Sequence, residues 1–294
     1  MEIRQIECFL ACCEHRSFTA AARSLNLVQS AVSTSVAKLE HELGARLFDR
    51  TPRLLELTEA GRAMIGPARA MLRARRDTLD AIDATRGLVR GEVVLGNLMN
   101  IHTFDLAGVI ATLHERYPEV TLRMRQSITG VAGNIAGLRD GTLDIALLNG
   151  TTTEIPGITL YPIAQETLVL CTPPDHPLAR RPFHPDDLTD VRFIDFAPGW
   201  GIRAVADSHF PTRRPVIEVA DQTFALELAA KGFGVTLSAR SVAERAPGIV
   251  CTELANTPIP WKLTVGHDSQ RTPANAARTV IDALRHPGPV RPNQ

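Results

Sequence analysis

Ser17-Phe18-Thr19-Ala20-Ala21-Ala22-Arg23-Ser24-Leu25-Asn26-Leu27-Val28-Gln29-Ser30-Ala31-Val32-Ser33-Thr34 is the stretch that decides how this 294-residue chain reads. Ser17 can cap a short helix over 18–25, whose alanines let another backbone approach closely. Asn26-Leu27-Val28 makes a brief turn. A further helix is predicted from Gln29 to Leu43, with Val32, Val36, Leu39 and Leu43 on one face and Gly44 as its stop. Upstream, Ile3, Ile6, Phe9, Leu10 and Cys13 fall at helical spacing and supply an apolar stripe. Two short helices across a tight turn, the second opening on small polar groups, form a helix-turn-helix. That motif places Gln29, Ser30, Ser33 and Thr34 against base edges in a major groove, where Gln pairs with adenine and Ser with either base type.

The segment from Arg46 to Thr58 has a turn at Thr51-Pro52 between two apolar stretches. It reads as a β-wing, with Arg50 and Arg53 at its tip to reach phosphates or the minor groove. The run Phe9…Ser17-Phe18-Thr19-Ala20-Ala21-Ala22…Leu25…Gln29-Ser30-Ala31-Val32-Ser33…Leu39-Glu40…Leu43-Gly44…Leu47-Phe48-Asp49-Arg50…Leu57-Thr58-Glu59-Ala60-Gly61 resembles the DNA-binding domain of the LysR-type transcriptional regulators. Ser17 and Thr19 match positions of the family's DNA-facing surface. Thr34 is a departure, since many relatives carry Arg there; a strong guanine contact is lost, and the operator sequence cannot be borrowed.

Charge agrees with a local rather than a global anion site. Lys+Arg and Asp+Glu are 32 each, so the net charge is zero. Residues 15–76 alone hold eleven Lys/Arg against five Asp/Glu, a net of +6, which leaves −6 elsewhere. No apolar run is long enough for a membrane span, and Met1-Glu2-Ile3-Arg4 does not open a secretory signal. The five cysteines (Cys8, Cys12, Cys13, Cys171, Cys251) contain no C-x-x-C pair and suit a reducing cytoplasm. Cys12, Cys13 and His15 lack the paired spacing of structural zinc, so no metal is expected.

Thr58-Glu59-Ala60-Gly61 opens a long helix with Met64, Met71, Leu72, Leu79 and Ile82 as an intermittent seam, and Pro67 is expected to kink or restart it. Such a helix needs a partner, either a second copy or its own body. Gly87 and Gly91 read as a hinge. From Glu92 the period changes. Val93-Val94-Leu95, Val120 to Met124 and Leu143 to Leu148 read as strands, with helices over 103–117 and 131–139 between them. This β-α-β-α-β run predicts a parallel, doubly wound sheet. Strands near 168–170, 193–194, 216–219, 235–237 and 261–266 follow, with helices near 202–209, 222–231 and 273–285. Residues 286–294 are Pro-rich and read as a tail without fixed structure.

The resemblance implies an α+β multidomain protein: a winged helix-turn-helix over 1–58, a linker and dimerisation helix with hinge over 59–90, and an effector-binding domain over 91–285. That last domain is two-lobed α/β like a periplasmic binding protein, with one lobe over 91–162 and 267–285 and the other over 163–266. Ligands of open α/β sheets bind beyond the carboxyl ends of strands, at helix N-termini. That rule singles out Asn97 to Thr103, Ser127 to Val131, Asn149 to Thr151 and Pro198 to Arg203. Within the first, Asn100 and Thr103 are either effector donors or ordinary helix caps. Val131 stands where relatives often carry a gripping hydroxyl, with Thr129 two residues earlier as a substitute, and Asn149 follows the third strand. Trp200, between two glycines, is a pocket wall or a plug between lobes. Ile202 lies beside it. Arg203 either clamps a carboxylate or is held in salt bridges, and Phe224 is either a pocket or a core residue.

The implied partners are a double-stranded DNA operator, a small-molecule effector, further copies of the chain as homodimer or homotetramer, and RNA polymerase. No cofactor and no membrane are implied, and the implied location is cytoplasmic. The chain has no G-x-S-x-G, no G-x-x-x-x-G-K, no H-E-x-x-H and no G-x-G-x-x-G after a strand, so no enzyme is expected. A helix-turn-helix protein acting through protein contacts alone stays open. Replacing Arg50 or Arg53 by Ala should weaken binding to specific and random DNA alike and lower the salt slope by about one per lost phosphate contact; binding titrations across a salt series check this.

Overall fold

The structure is a computed structural model describing residues 1–50, 55–152 and 154–287, the side chain of Arg50 excepted. The wing tip with Arg53, and all but the start of the Pro-rich tail, lie outside the described residues. Two compact units divide the chain, Met1–Gly87 and Leu88–Gln294.

In the first unit, α1 (Ile3–His15), α2 (Phe18–Ser24) and α3 (Gln29–Leu43) precede a hairpin of β1 (Phe48–Arg50) and β2 (Leu55–Leu57), and α4 (Glu59–Ala84) closes it. Ser17 caps α2 by accepting from Ala20 N, and Gly44 ends α3 at φ 63°, a left-handed position that suits glycine. Val32, Val36 and Leu39 of α3 pack on Phe9, Ala21, Ala22 and Phe48. Leu43, expected on that buried face, is exposed, as is Ile3. In α1 the buried face instead carries Gln5, Ile6, Cys8, Phe9 and Cys12, because both neighbouring helices and α4 cover it. Glu40 accepts from Leu47 N (2.7 Å) and Phe48 N (3.2 Å), which ties α3 to the start of the wing.

Thr58 caps α4, accepting from Gly61 N, and α4 continues through Pro67 as one helix rather than restarting there. Its seam divides. Met64 and Ala68 are buried in the unit's own core, whereas Leu79 and Ile82 are each 53% exposed.

In the second unit, β3 (Gly91–Asn97), α5 (Leu106–Arg116), β4 (Val120–Gln126), α6 (Gly130–Asp140) and β5 (Ile145–Gly150) realise the predicted alternation. The helix expected from Thr103 starts later, because Asp105 is the cap, accepting from Gly108 N. β4, β3 and β5 are parallel. The sheet is nevertheless mixed, not parallel throughout. A 15-residue strand, β6 (Ile158–Thr172), leaves the first lobe and enters the second. There follow β7 (Arg192–Phe196), α7 (Gly201–His209), β8 (Arg214–Val219), α8 (Gln222–Ala230), β9 (Thr236–Ala239), α9 (Arg240–Ala243), β10 (Val250–Thr252), β11 (Ile259–Asp268) and α10 (Asn275–Arg285). β11 runs antiparallel to β6 along its length and, from Lys262 to Gly266, to β5 as well. β9 and β10 are antiparallel to β6, while β7 and β8 are parallel. The apolar runs at 168–170 and 261–266 looked alike as buried strands, but direction is set by where the chain returns, which hydrophobicity does not encode.

The second lobe carries a buried ion cluster. Arg213, 4% exposed, donates from Nε (2.8 Å) and Nη2 (2.5 Å) to Asp195 Oδ2, itself 1% exposed, and Nη2 also reaches Asp207. Burial pushes the Asp207 carboxyl up, but hydrogen bonds from Arg213 and Arg203 outweigh it and leave its pKa below the ordinary carboxylate value. Removing one partner strands a buried charge, so Arg213→Ala should cost about 3–5 kcal/mol of unfolding free energy. Both tryptophans, Trp200 and Trp261, lie in this unit, so urea unfolding followed by tryptophan fluorescence reads it directly. A depressed carboxylate pKa gives stability present above its unfolded value and lost as pH falls through the folded one. The same signal should therefore show wild type losing stability below about pH 4.

Candidate DNA-reading helix and effector cleft

The N-terminal turns of α3 present Gln29, Ser30 and Thr34 exposed and Ser33 half-buried. Thr19 on α2 is exposed, while Ser17 is half-buried with its hydroxyl engaged as a cap. Ser33, Thr34, Lys38 and His41 border one shallow depression along α3. Lys38 was not singled out from the sequence, yet it lies one helical turn beyond Thr34 and can add a phosphate contact to the same face.

In the second unit, the carboxyl ends of β3, β4 and β5 meet the start of α7 from the other lobe. The cavity between them is lined by Asn97, Leu98, Met99, Gln126, Ser127, Gly130, Val131, Asn149, Trp200, Gly201, Ile202, Gln222 and Trp261. Val131, Asn149, Trp200 and Ile202 are thus brought together as expected. Asn97 and Ser127 fall in the segments that the strand-end rule picks out, whereas Gln126, Gln222 and Trp261 were missed. Gln126 ends β4, one residue before the segment that the rule picks out. Gln222 and Trp261 arrive from distant segments and left no local signal.

Positioning follows from packing. Asn134, fully buried on α6, donates from Nδ2 to Asn97 O (3.2 Å) and Leu147 O (3.0 Å), which holds the ends of β3 and β5 together under the cavity. The lobes touch where Ala132 N donates to Gly199 O (3.0 Å). Gly199 sits at φ 93°, and a Cβ there would lie 2.7 Å from Thr129 O, so both conformation and space demand glycine. Across the same boundary Arg245 Nη1 lies 3.1 Å from His102 Nδ1.

The cavity has a volume of about 30 Å³, room for roughly one water. It contains unspent polar capacity, because Asn97 Oδ1 and Trp200 Nε1 are buried without a hydrogen-bond partner. Trp200 stacks on Phe196 at 5.9 Å and precedes the first residue of α7, a helix with no side-chain cap. The N–H groups of that first turn offer partial positive charge toward an acceptor.

The remaining expected residues fall elsewhere. Asn100, at φ 57°, has a buried unpartnered Nδ2 but does not line the cavity, nor does Thr103. Thr129 is exposed and engaged with Ser127 Oγ at 3.1 Å, so it does not replace the hydroxyl absent at Val131. Phe224 is 48% exposed and lies neither in the core nor on the cavity. Arg203 is saturated by acids: Nε donates to Asp207 (2.9 and 3.1 Å) and Nη1 to Glu218 (3.1 Å) and Phe196 O (2.9 Å). Its charge is neutralised away from the cavity, so it is a salt-bridged residue and not a carboxylate clamp.

Residues 3–62 match the model of the bacterial regulatory helix-turn-helix protein, lysR family, and residues 86–287 match that of the LysR substrate binding domain. The HTH-type transcriptional regulator ShiR of Corynebacterium glutamicum is 34% identical over 259 residues, covering 84% of this chain and 85% of ShiR. The regulator CfxR of Cupriavidus necator is 28% identical, covering 92% of this chain and 87% of its own. Among solved structures, full-length CbnR in complex with its target DNA has TM-score 0.65 at 26% identity, covering 97% of this chain and 99% of CbnR. A full-length OxyR from Pseudomonas aeruginosa has TM-score 0.77 at 20% identity, covering 100% and 99%, a likeness of fold.

A Cβ added at Gly201 would lie 2.7 Å from Asn149 Oδ1, 2.8 Å from Asn149 O and 2.9 Å from the Trp261 ring. Gly201→Ala should therefore force the lobes apart at a cost of about 1–3 kcal/mol. Urea unfolding should show that loss, and a shift of native tryptophan emission should report the movement.

Proposed function

The chain belongs to the LysR family of transcriptional regulators, and from that premise we propose that it reads an operator with α3 and answers to a small molecule held between the lobes of its second unit. The observation that carries this reading is the cavity lined from both lobes, with Asn97, Asn149 and Trp200 at the points where strand ends meet a helix start. Exposed Gln29, Ser30 and Thr34, with Ser33 beside them, are the base-reading groups. Lys38 and the wing arginines, Arg50 and Arg53, supply phosphate contacts.

The lining residues are uncharged at neutral pH. We infer an effector held by side-chain amides, the Trp200 indole N–H and the first turn of α7, with a flat apolar face against Trp200 or Trp261. A carboxylate requiring Lys or Arg is a poorer fit. The same lining offers no nucleophile beyond Ser127 and no general base, which supports a sensor over an enzyme.

Leu79 and Ile82, left bare on α4, fit a helix that pairs with a second copy, as dimer or tetramer. CbnR was solved on its target DNA, which supports an operator as partner here too. Among the described residues no helix is long and apolar enough to cross a membrane. We place the protein in the cytoplasm with its DNA, with polymerase contact as an output of lobe rearrangement.

Ligand screening by tryptophan-monitored melting tests the sensor half. A true effector raises the midpoint, and Trp200→Phe, which keeps the stacking but removes the indole N–H, should reduce that rise. Gln29→Ala and Ser33→Ala should each cost about 1–3 kcal/mol on the operator and little on random DNA. Equal losses on both would overturn the assignment of α3 as reader, and failure of every cleft ligand to alter operator affinity or bending would overturn the effector half.

A further inference from the structure

Cys251 on β10 stands directly opposite Cys171 on β6 in an antiparallel ladder, flanked by the pairs Val250–Thr172 and Thr252–Leu170. Directly opposed residues in such a ladder have Cα atoms about 4.5 or 5.5 Å apart, and both values fall inside the range a disulfide spans. Opposed side chains leave the same face of the ladder, so the two thiols are cross-strand neighbours. Their Cβ atoms start about 4.5–5.5 Å apart, where a disulfide wants about 3.5–4.5 Å, so closure asks for up to about 1 Å of approach. β10 can supply it, being three residues long and paired in the sheet with β6 alone.

The two thiols are not equivalent. Cys171 is fully buried, while Cys251 is half-buried and open to small molecules. The neighbouring Cys171 thiol and the Arg240 guanidinium hold the Cys251 thiol below its ordinary pKa against the effect of burial, and burial pushes Cys171 well above. Cys12 and Cys13, by contrast, are pushed up to about 12 by burial, which keeps them protonated.

We propose that Cys171 and Cys251 are a reversible thiol–disulfide pair, a modification site separate from the effector cavity, with Cys251 as the attacking thiol and Cys171 as its partner. The oxidant is a hydroperoxide. The Cys251 thiolate attacks the terminal oxygen of R–O–O–H; the S–O bond forms, the O–O bond breaks, and the alcohol leaves with the thiol's proton. Cys171 sulfur then attacks Cys251 sulfur; the S–S bond forms, the S–O bond breaks, and hydroxide leaves with the Cys171 proton as water. Two thiols and one hydroperoxide give one disulfide, one alcohol and one water.

The full-length protein, treated with hydrogen peroxide and then alkylated, should lose two of its five thiols. Peptide mass mapping should find one linked pair, Cys171 with Cys251, released by dithiothreitol. Oxidation should raise the tryptophan-monitored melting midpoint of wild type and not of Cys251→Ser. In Cys171→Ser, Cys251 should stop at a sulfenic acid that dimedone traps, and in Cys251→Ser, Cys171 should remain a thiol. Wild-type Cys251 over-oxidised to sulfinic acid beside a free Cys171, thiol loss confined to Cys8, Cys12 or Cys13, or no thiol loss at all would each overturn the proposal.

Discussion

Ten consecutive residues of β11, Ile259 to Asp268, lie in antiparallel register against β6 from Leu168 back to Ile158, with one irregularity at Leu263/Thr264. The two lobes hang on this ladder. Its lower half belongs to the first lobe, where β11 also pairs β5, and its upper half to the second, where β6 pairs β9. Two continuous strands crossing together resist shear, because every slip breaks several backbone hydrogen bonds at once. The irregular register at Leu263/Thr264 falls within the span that β11 shares with β5, and such an irregularity locally increases strand twist.

Around that ladder, polar groups divide into those that are spent and those that are not. Arg203, Arg213, Asp195, Asp207 and Glu218 satisfy one another and tie β7, α7 and β8 of the second lobe together. Asn134 spends its amide on two strand-end carbonyls of the first. Asn97 Oδ1 and Trp200 Nε1 remain unspent, and both belong to residues lining the cavity between lobes. Unpaired buried polar atoms are costly and few in folded proteins, and the meeting of two in one cavity supports the proposed reading of it as a ligand site.

Much of this was legible in the chain. The Ser17 cap, the α2–α3 turn, the Gly44 stop, the Thr58 cap and the alternation through β5 are local signals, and local physics decides them. What could not be read depends on distant partners. Whether Arg203 faces a ligand or a carboxylate turns on Glu218, fifteen residues away, and on the path of β8. The antiparallel course of β6 and β11 turns on chain return rather than on hydrophobic pattern. The stripe read on α1 holds at Ile6, Phe9, Leu10 and Cys13, but Gln5, Cys8 and Cys12 are buried too, because the neighbouring helices cover more of α1 than a single stripe reveals. Gln222 and Trp261 joined the cavity only through the fold of the second lobe.

A cavity that holds about one water has a kinetic consequence. On the proposed reading, a molecule of ordinary effector size enters only when the lobes part. Apparent affinity is then the intrinsic affinity scaled by the fraction of time the cleft stands open. The contact from Ala132 N to Gly199 O, far smaller than any ligand, helps set that fraction. Sensitivity to the effector can therefore be retuned by substitutions that never touch it, and two relatives with identical pocket walls can answer at very different concentrations.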